Sequence, residues 1–477
     1  MEASAAPTLK TRARQVFDKQ QRHLPNLRTE TLKARKRRIY TVLQWIKANR
    51  EKIHQALFND LHKPTVETDA TEIVPALTEA QHALKHLDEW ARPRKVDAPF
   101  TMLGTRSVIQ YEPKGLCLII SPWNYPFNLA VGPLISALAA GNAVVIKPAE
   151  HAPHTSALIN QMIQELFPEQ EVAVIEGGVE TAQELLALPF HHIFFTGSTA
   201  VGKLVMKAAA QHLASVTLEL GGKSPAIVLP SSNIKTAARR IAVAKFVNNG
   251  QTCVAPDYVL VHQSKAQEFI KALCTETQKL FSEGQQPIAQ SPYYGRIIHQ
   301  AHLQRLQNLI DDAINRGAKA ELAGPINPAE RFMHPFILSQ VPEDAHLMQE
   351  EIFGPVLPVL SFTTIDQALN LVNQKPKPLA LYLFGTNPAE NQLFIAQTSS
   401  GAVCINDCAI HFLHANLPFG GVNHSGMGKA HGFYGFQAFS NEKPILHQRR
   451  GITSVSFFYP PYTPLVKKCM NWLIKLF

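Results

Sequence analysis

From Leu9 to about Leu61 the apolar positions recur at mixed three- and four-residue spacing, with Val16, Phe17, Ile39, Val42, Leu43, Ile46, Ile53, Leu57 and Phe58 in the set. That period predicts amphipathic helices. A second helical run, residues 66–90, carries Glu67, Asp69, Glu72 and Glu79, with Ile73, Leu77, Leu84 and Leu87 inward. Pro93, Pro99 and Gly104 break it, and alternation over residues 94–100 and 107–112 predicts a hairpin. Beyond Gly115 the rhythm changes. Short apolar runs ending in Gly, Pro or Ser, at residues 115–121, 143–147, 172–176 and 192–196, alternate with helical stretches. Such alternation builds a parallel sheet covered on both faces, with ligands at the carboxyl ends of its strands. After Pro230 a second α/β pattern runs to about Gly428, with helices expected over 237–247 and around 300–316. The last stretch, 465–477, sets Val466, Met470, Leu473 and Phe477 on one face and Lys467, Lys468 and Lys475 nearer the other. No internal repeat or low-complexity tract interrupts this order.

With 477 residues, 45% hydrophobic and 17% charged, the chain is a folded soluble protein of two or three domains. Its 46 Lys+Arg against 37 Asp+Glu give +9, concentrated in residues 10–38 and again near Lys443, Arg449, Arg450, Lys467, Lys468 and Lys475. No zinc finger or aromatic-interleaved basic motif accompanies the charge, so no nucleic-acid partner is expected. A basic face suits an anionic membrane surface better. Six unpatterned cysteines point to a reducing compartment, and Cys404 and Cys408 lack the second pair a metal site needs, so no metal is expected. Residues 1–10 lack the features of a signal peptide, and no apolar run is long enough to span a bilayer. The expected location is cytoplasmic, with peripheral membrane contact through the tail.

Three polar stretches carry candidate chemistry. Asn248-Asn249-Gly250-Gln251-Thr252-Cys253-Val254-Ala255-Pro256-Asp257 places one thiol among small and amide-bearing residues, where substrate can reach it. The alternative is a buried structural cysteine. Upstream lie Glu219-Leu220-Gly221-Gly222-Lys223-Ser224-Pro225 and Pro122-Trp123-Asn124-Tyr125-Pro126. A thiol, a carboxylate and a side-chain amide, each on a strand exit, are the parts of covalent acyl chemistry. The turn Phe194-Phe195-Thr196-Gly197-Ser198-Thr199-Ala200-Val201-Gly202-Lys203 leaves a strand and opens a helix over 201–213, which turns backbone N–H groups toward an anion. Two readings compete there. One is a dinucleotide pyrophosphate site; the other is an NTP P-loop of the form G-x₄-G-K, although Leu204 stands where Mg²⁺ ligation needs Ser or Thr.

Taken in order, Pro122-Trp123-Asn124-Tyr125-Pro126, Lys147-Pro148-Ala149-Glu150, Phe195-Thr196-Gly197-Ser198, Leu218-Glu219-Leu220-Gly221-Gly222-Lys223, Gly250-Gln251-Thr252-Cys253 and Glu350-Glu351-Ile352-Phe353-Gly354-Pro355 resemble the motif series of the NAD(P)-dependent aldehyde dehydrogenases. Pro378-Leu379-Ala380-Leu381-Tyr382 and Leu417-Pro418-Phe419-Gly420-Gly421 are similar to the class 3 branch, and Tyr459-Pro460-Pro461-Tyr462 before an apolar basic tail is similar to its fatty aldehyde members. The resemblance implies Cys253 as nucleophile, Asn124 with the Cys253 backbone N–H as oxyanion donors, and Glu219 as the base for deacylation. It implies Lys147 and Glu150 on the adenosine ribose, Gly197 and Ser198 with Gly202 at the pyrophosphate turn, and Glu351 on the nicotinamide ribose with Phe353 beside it. Glu350 is read as a solvated or salt-bridged neighbour. A carboxylate at Glu150 disfavours a 2′-phosphate, so NAD is expected before NADP.

The implied fold is α/β: a doubly wound parallel-sheet cofactor domain (1–92 and 112–219), an α/β catalytic domain (220–429), a small bridging element (93–111 and 430–450) that pairs subunits into a homodimer, and the tail 451–477. The implied reaction is oxidation of a medium- or long-chain aliphatic aldehyde to its acid. Aromatic aldehydes, semialdehydes and CoA acylation stay open within the class; a P-loop NTPase and a catalytically silent membrane scaffold stay open outside it. Asn423-His424 and Ala430-His431-Gly432-Phe433 depart from the family pattern, at the substrate mouth and toward the oligomer strand. His411, His424 and His431 are read as packing or hydrogen-bonding residues. For 465–477 three placements remain: a lid over the aldehyde tunnel, a membrane contact, or a helix packed on the body.

Overall fold

The computed structural model describes residues 11–282, 284, 286–451 and 453–476. The start of the first helical run at Leu9, the leader reading of residues 1–10 and Phe477 lie outside the described residues. The first run divides into Arg12–Arg28, Leu32–Ala48 and Arg50–Leu61. Thr11 and Thr31 cap the first two, each side-chain oxygen accepting a backbone N–H of the first turn. The second run is not one straight helix. A π turn, Asp69–Ile73, separates Thr65–Thr68 from Val74–Trp90, and Glu72 and Glu79 are buried with the apolar set.

Five parallel strands, Ser215–Leu220, His192–Gly197, Leu116–Ile120, Ala143–Lys147 and Val172–Val174, stand side by side in that spatial order. The order reverses beside Leu116–Ile120, the earliest strand of this sheet, the doubly wound arrangement that opens a crevice at the strand ends. Because successive side chains point to opposite faces, Cys117, Ile119, Val144 and Ile146 pack under one helical layer and Leu116, Leu118 and Val145 under the other. One more strand, Gly426–Met427, joins the Ser215–Leu220 edge antiparallel, Gly426 opposite Glu219.

A second sheet has seven strands in the order Lys319–Leu322, Phe336–Ser339, Val356–Phe362, Tyr258–His262, Pro225–Val228, Ala380–Phe384 and Ala402–Ile405, all parallel but the first. The bridging element is a three-stranded antiparallel sheet, Arg94–Val96, Arg106–Pro113 and Ser440–His447. Its first strand is shorter than the alternation suggests, since the chain coils into the short 3₁₀ turn Phe100–Met102 directly after Pro99. Between the sheets' domains and this element, the helix Gly432–Ala438 turns Phe436 into the first core beside Trp90 and Tyr111.

The tail folds as one helix, Pro464–Leu476. Val466, Met470 and Leu473 are half-buried, but Leu465, Trp472 and Ile474 stay 68%, 59% and 65% exposed. Among the described residues no helix is long and apolar enough to cross a membrane.

Candidate active site

Strand exits of both sheets and the turn after the helix Ile234–Phe246 surround a cavity of ≈ 1270 Å³, with Cys253, Glu219, Thr252 and Tyr125 on its wall. The chain reaches Cys253 through a tight turn in which Asn248, Asn249 and Gly250 all hold left-handed φ values of 52°, 54° and 70°. A Cβ on Gly250 would lie 2.3 Å from the Gly354 carbonyl oxygen, so only glycine lets this turn press against the 351–354 loop. Cys253 itself is half-buried. Burial, then the Glu351 and Glu219 carboxylates, push its thiol up to about 12, against the pull of the Cys253 and Val254 backbone N–H groups.

Asn124 is buried just past the strand Leu116–Ile120. Its Nδ2 donates to the Gln251 carbonyl at 2.9 Å. Its main-chain carbonyl accepts from Asn248 Nδ2 at 2.9 Å and from Lys63 Nζ at 3.2 Å. Lys63 pairs at 2.7 Å with Glu72, both side chains fully buried. Glu219, near the end of its strand, is buried, and neither carboxylate oxygen has a hydrogen-bond partner among the described residues. Burial raises it well above the usual carboxylate range, with the Lys429 ammonium opposing. An unpartnered carboxylate on the wall that also carries the thiol is free to take a proton from water.

The cofactor-side residues gather at the next strand exits. Lys147 Nζ lies 2.5 Å from Glu150 Oε2. Burial pushes Glu150 up, but Lys147 and a backbone N–H outweigh it and hold the carboxyl below its ordinary value. Ser198 caps the helix Thr199–Ala210, its Oγ accepting the Val201 N–H at 3.3 Å. Gly197 ends the preceding strand, and a Cβ there would fall 2.5 Å from the Phe195 ring. Gly202 is placed otherwise than expected. It is buried inside the helix, where a Cβ would meet Leu220 Cδ2 at 2.6 Å, so it serves close packing of helix on strand and not the turn itself. The local structure removes the P-loop reading, because the helix already begins at Thr199, directly after the Ser198 cap, and leaves no loop between Gly197 and Gly202 to wrap a phosphate.

Glu351 rests on Gly221, and burial with the Asp257 carboxylate raises it to about 8. Phe353, at φ 52°, meets Trp123 edge-on at 5.3 Å, and its carbonyl lies 2.8 Å from His302 Nε2. Glu350 points out to an ion pair with Arg305 at 3.1 Å. An ion-paired lysine and glutamate, a helix N-terminus and a carboxylate beside the thiol thus follow one another along the crevice, and they fit a dinucleotide. The residues that fix this frame were not singled out from sequence. Lys223 pairs with Asp257 and donates to the Leu347 and Glu350 carbonyls at 2.9 and 2.8 Å, while Asp257 Oδ1 accepts the Ile352 N–H at 2.9 Å. Their only sequence signal is adjacency to the motifs they hold.

The three histidines are where packing puts them. His411 and His431 each stack with the Phe419 ring, at 6.1 and 5.0 Å, and burial pushes both down to about 4. His424 is exposed, its carbonyl accepting from Thr199 Oγ1 at 2.8 Å. No group of metal-ligating side chains occurs among the described residues.

A profile described as the aldehyde dehydrogenase family matches residues 3–445. The 4,4'-diaponeurosporen-aldehyde dehydrogenase of Staphylococcus aureus is 43% identical over 91% of this chain and 93% of its own length. Aldehyde dehydrogenase family 3 member B3 of Mus musculus is 39% identical over 94% of this chain and 92% of its own. A structure described as the substrate-bound state of Staphylococcus aureus AldH superposes with a TM-score of 0.93 at 41% identity, covering 97% of this chain and 100% of that one.

Proposed function

Since the chain belongs to the aldehyde dehydrogenase family and oxidises aldehydes with NAD or NADP, we propose that its substrate is a medium- or long-chain aliphatic aldehyde and that Cys253 carries it as thiohemiacetal and then thioester. The observation behind this reading is the ≈ 1270 Å³ cavity, which runs from Cys253 and Glu219 past Val66, Val74, Leu129 and Ile410, room for an extended apolar chain.

Cys253 attacks the carbonyl carbon as thiolate. The developing oxyanion is met by the second Asn124 Nδ2 N–H and the Cys253 backbone N–H, worth about 3 kcal/mol per donor. The nicotinamide, when bound, supplies the hydride acceptor. With the cofactor bound, Lys147 and Glu150 would hold the adenosine ribose, the Ser198-capped helix would face the pyrophosphate, and Glu351 would turn from Gly221 to the nicotinamide ribose. That turn would take away the carboxylate that most opposes the thiolate. Glu219 then draws a proton from water, which opens the thioester and releases the acid. Glu150 favours NAD over NADP through repulsion of a 2′-phosphate.

The protein works as a homodimer. Two strands support this: Ser440–His447 and Ala402–Ile405 each end their sheet, unpaired on one side among the described residues, and such edges recruit partners. The tail lies on anionic membrane in an otherwise cytoplasmic enzyme, its lysines at the headgroups. A second substrate class, flat conjugated aldehydes, is favoured by one feature, the stacked Phe419 and His431 rings with Phe412 edge-on at 5.0 and 4.7 Å.

A panel of saturated aldehydes graded by length, with one aryl and one polyenyl member, separates these readings by NADH absorbance. kcat/KM should climb with chain length, and Cys253→Ala should turn over none of them while still binding NAD. A maximum at short semialdehydes, or turnover only with CoA present, would overturn the long-chain reading.

A further inference from the structure

We propose that Glu67 is a positioning residue for the oxyanion site: its carboxylate fixes Asn248, and through Asn248 it fixes which Asn124 N–H faces the substrate. Glu67 sits on the wall of the same cavity as Cys253. Unlike Glu219, it is engaged, Oε1 accepting the Asn248 backbone N–H at 2.9 Å. Asn248 needs an anchor. It stands at φ 52° and ψ 29°, a left-handed conformation that asparagine adopts more readily than other non-glycine residues but at a cost its contacts must offset.

From there the hydrogen bonds run to the reacting centre. Asn248 Nδ2 donates to the carbonyls of Asn124 at 2.9 Å and Gln251 at 3.2 Å. The Gln251 carbonyl also takes one N–H of Asn124 Nδ2, at 2.9 Å. A primary amide has two N–H groups. With one committed to Gln251, the other can meet an oxyanion without searching for an orientation. Gln251 is itself held by the Asn248 and Arg296 carbonyls at 3.0 and 3.1 Å and by the Ile298 N–H at 2.9 Å. Lys63 holds the Asn124 carbonyl from the other side, with its charge matched by Glu72. The side chain and carbonyl of Asn248 tie it to Asn124 and Gln251, and its N–H ties that whole group to Glu67. Glu219 and Glu67, on one cavity wall, therefore divide the work, Glu219 left open for water and Glu67 spent on geometry.

This proposal rests on Asn124 being an oxyanion donor, and the test separates the two ideas. First-turnover NADH formation is measured on the full chain and on Glu67→Ala, Glu67→Gln, Asn124→Ala and the Glu67→Ala/Asn124→Ala double variant. Glu67→Ala should slow hydride transfer about tenfold with both KM values within about twofold of wild type. Glu67→Gln, whose amide oxygen still accepts from Asn248, should recover most of the rate. On the Asn124→Ala background Glu67→Ala should add nothing, since the group it positions is gone. Independent, multiplying losses in the double variant overturn the role of Glu67, as does a wild-type rate for Glu67→Ala. A wild-type rate for Asn124→Ala overturns the oxyanion reading and this proposal with it. Should Glu67→Ala fail to fold, Asn248→Gly keeps the left-handed turn, deletes the connecting amide, and must show the same dependence on Asn124.

Discussion

The carboxylate of Glu351 lies on Gly221 so closely that a Cβ there would fall 1.9 Å from Oε2. What the added methyl meets is the free end of a side chain, so Gly221→Ala should fold and simply displace Glu351. Glu351 is the stronger of the two carboxylates that hold the Cys253 thiol high, and it ionises at about 8. Above that pH, alkylation of Cys253 by iodoacetamide should therefore run several-fold faster in Gly221→Ala than in wild type. The KM for NAD should rise about tenfold if the displaced group has lost its ribose. Unchanged alkylation would mean that Glu351 does not govern the thiol.

Glu219 offers a cleaner separation of steps. Replacing it with Gln removes the base but not the nucleophile, so a burst of NADH should survive and the steady state should fall about a hundredfold. Because burial raises its pKa, the wild-type steady state should decline as pH falls and Glu219 becomes protonated, before the burst amplitude does. A variant with no burst would place Glu219 in the first half-reaction.

The proposed function gives Glu150 the choice between NAD and NADP. Lys147 holds it ionised, so a 2′-phosphate meets a full negative charge. In Glu150→Gln the NADP-to-NAD ratio of kcat/KM should rise about tenfold. A ratio that stays put would show that the carboxylate faces away from the ribose.

Much of this arrangement was legible in the chain, for identifiable reasons. The strand Ala143–Lys147 is the apolar run between Gly and Pro that the pattern marks, and Cys253, Glu219 and Asn124 sit in short polar stretches that interrupt apolar ones. What escaped depends on distance in sequence. Nothing in His62-Lys63-Pro64 announces that Lys63 will reach the carbonyl of Asn124, and nothing near Gly426 announces that it will lie opposite Glu219. Gly202 misled because glycine in a turn and glycine under a helix look alike until the neighbour, Leu220, is known.

A buried acid outside the reaction gives a stability test. Glu79 accepts the Gly432 N–H at 2.9 and 3.1 Å, and burial raises it to about 7. A carboxyl whose folded pKa exceeds its unfolded value stabilises below the unfolded pKa and loses that contribution as pH rises through the folded one. Glu79→Gln stays neutral throughout. The difference in Tm between the variant and wild type should thus grow by several degrees in the variant's favour from pH 5 to pH 8. A constant difference would mean that Glu79 does not titrate in that window.

The tail is tested by charge. Leu465, Trp472 and Ile474 are exposed, so Trp472→Lys with Ile474→Lys should leave Tm within about a degree. The same pair should cut sedimentation with anionic liposomes severalfold and raise KM for long aldehydes more than for short ones. Undiminished sedimentation would remove membrane contact from the tail.

Residues 426–447 return to a domain whose sheet was otherwise complete by Leu220: Gly426–Met427 closes the edge beside Glu219, Phe436 and Phe439 enter the first core, and Ser440–His447 pairs with Arg106–Pro113. During synthesis, then, the ribosome must deliver the whole of the second α/β unit before the first can lock. Until that happens the strand that carries Glu219 presents an open edge on the nascent chain. The order of translation and the order of completion run opposite ways in this protein.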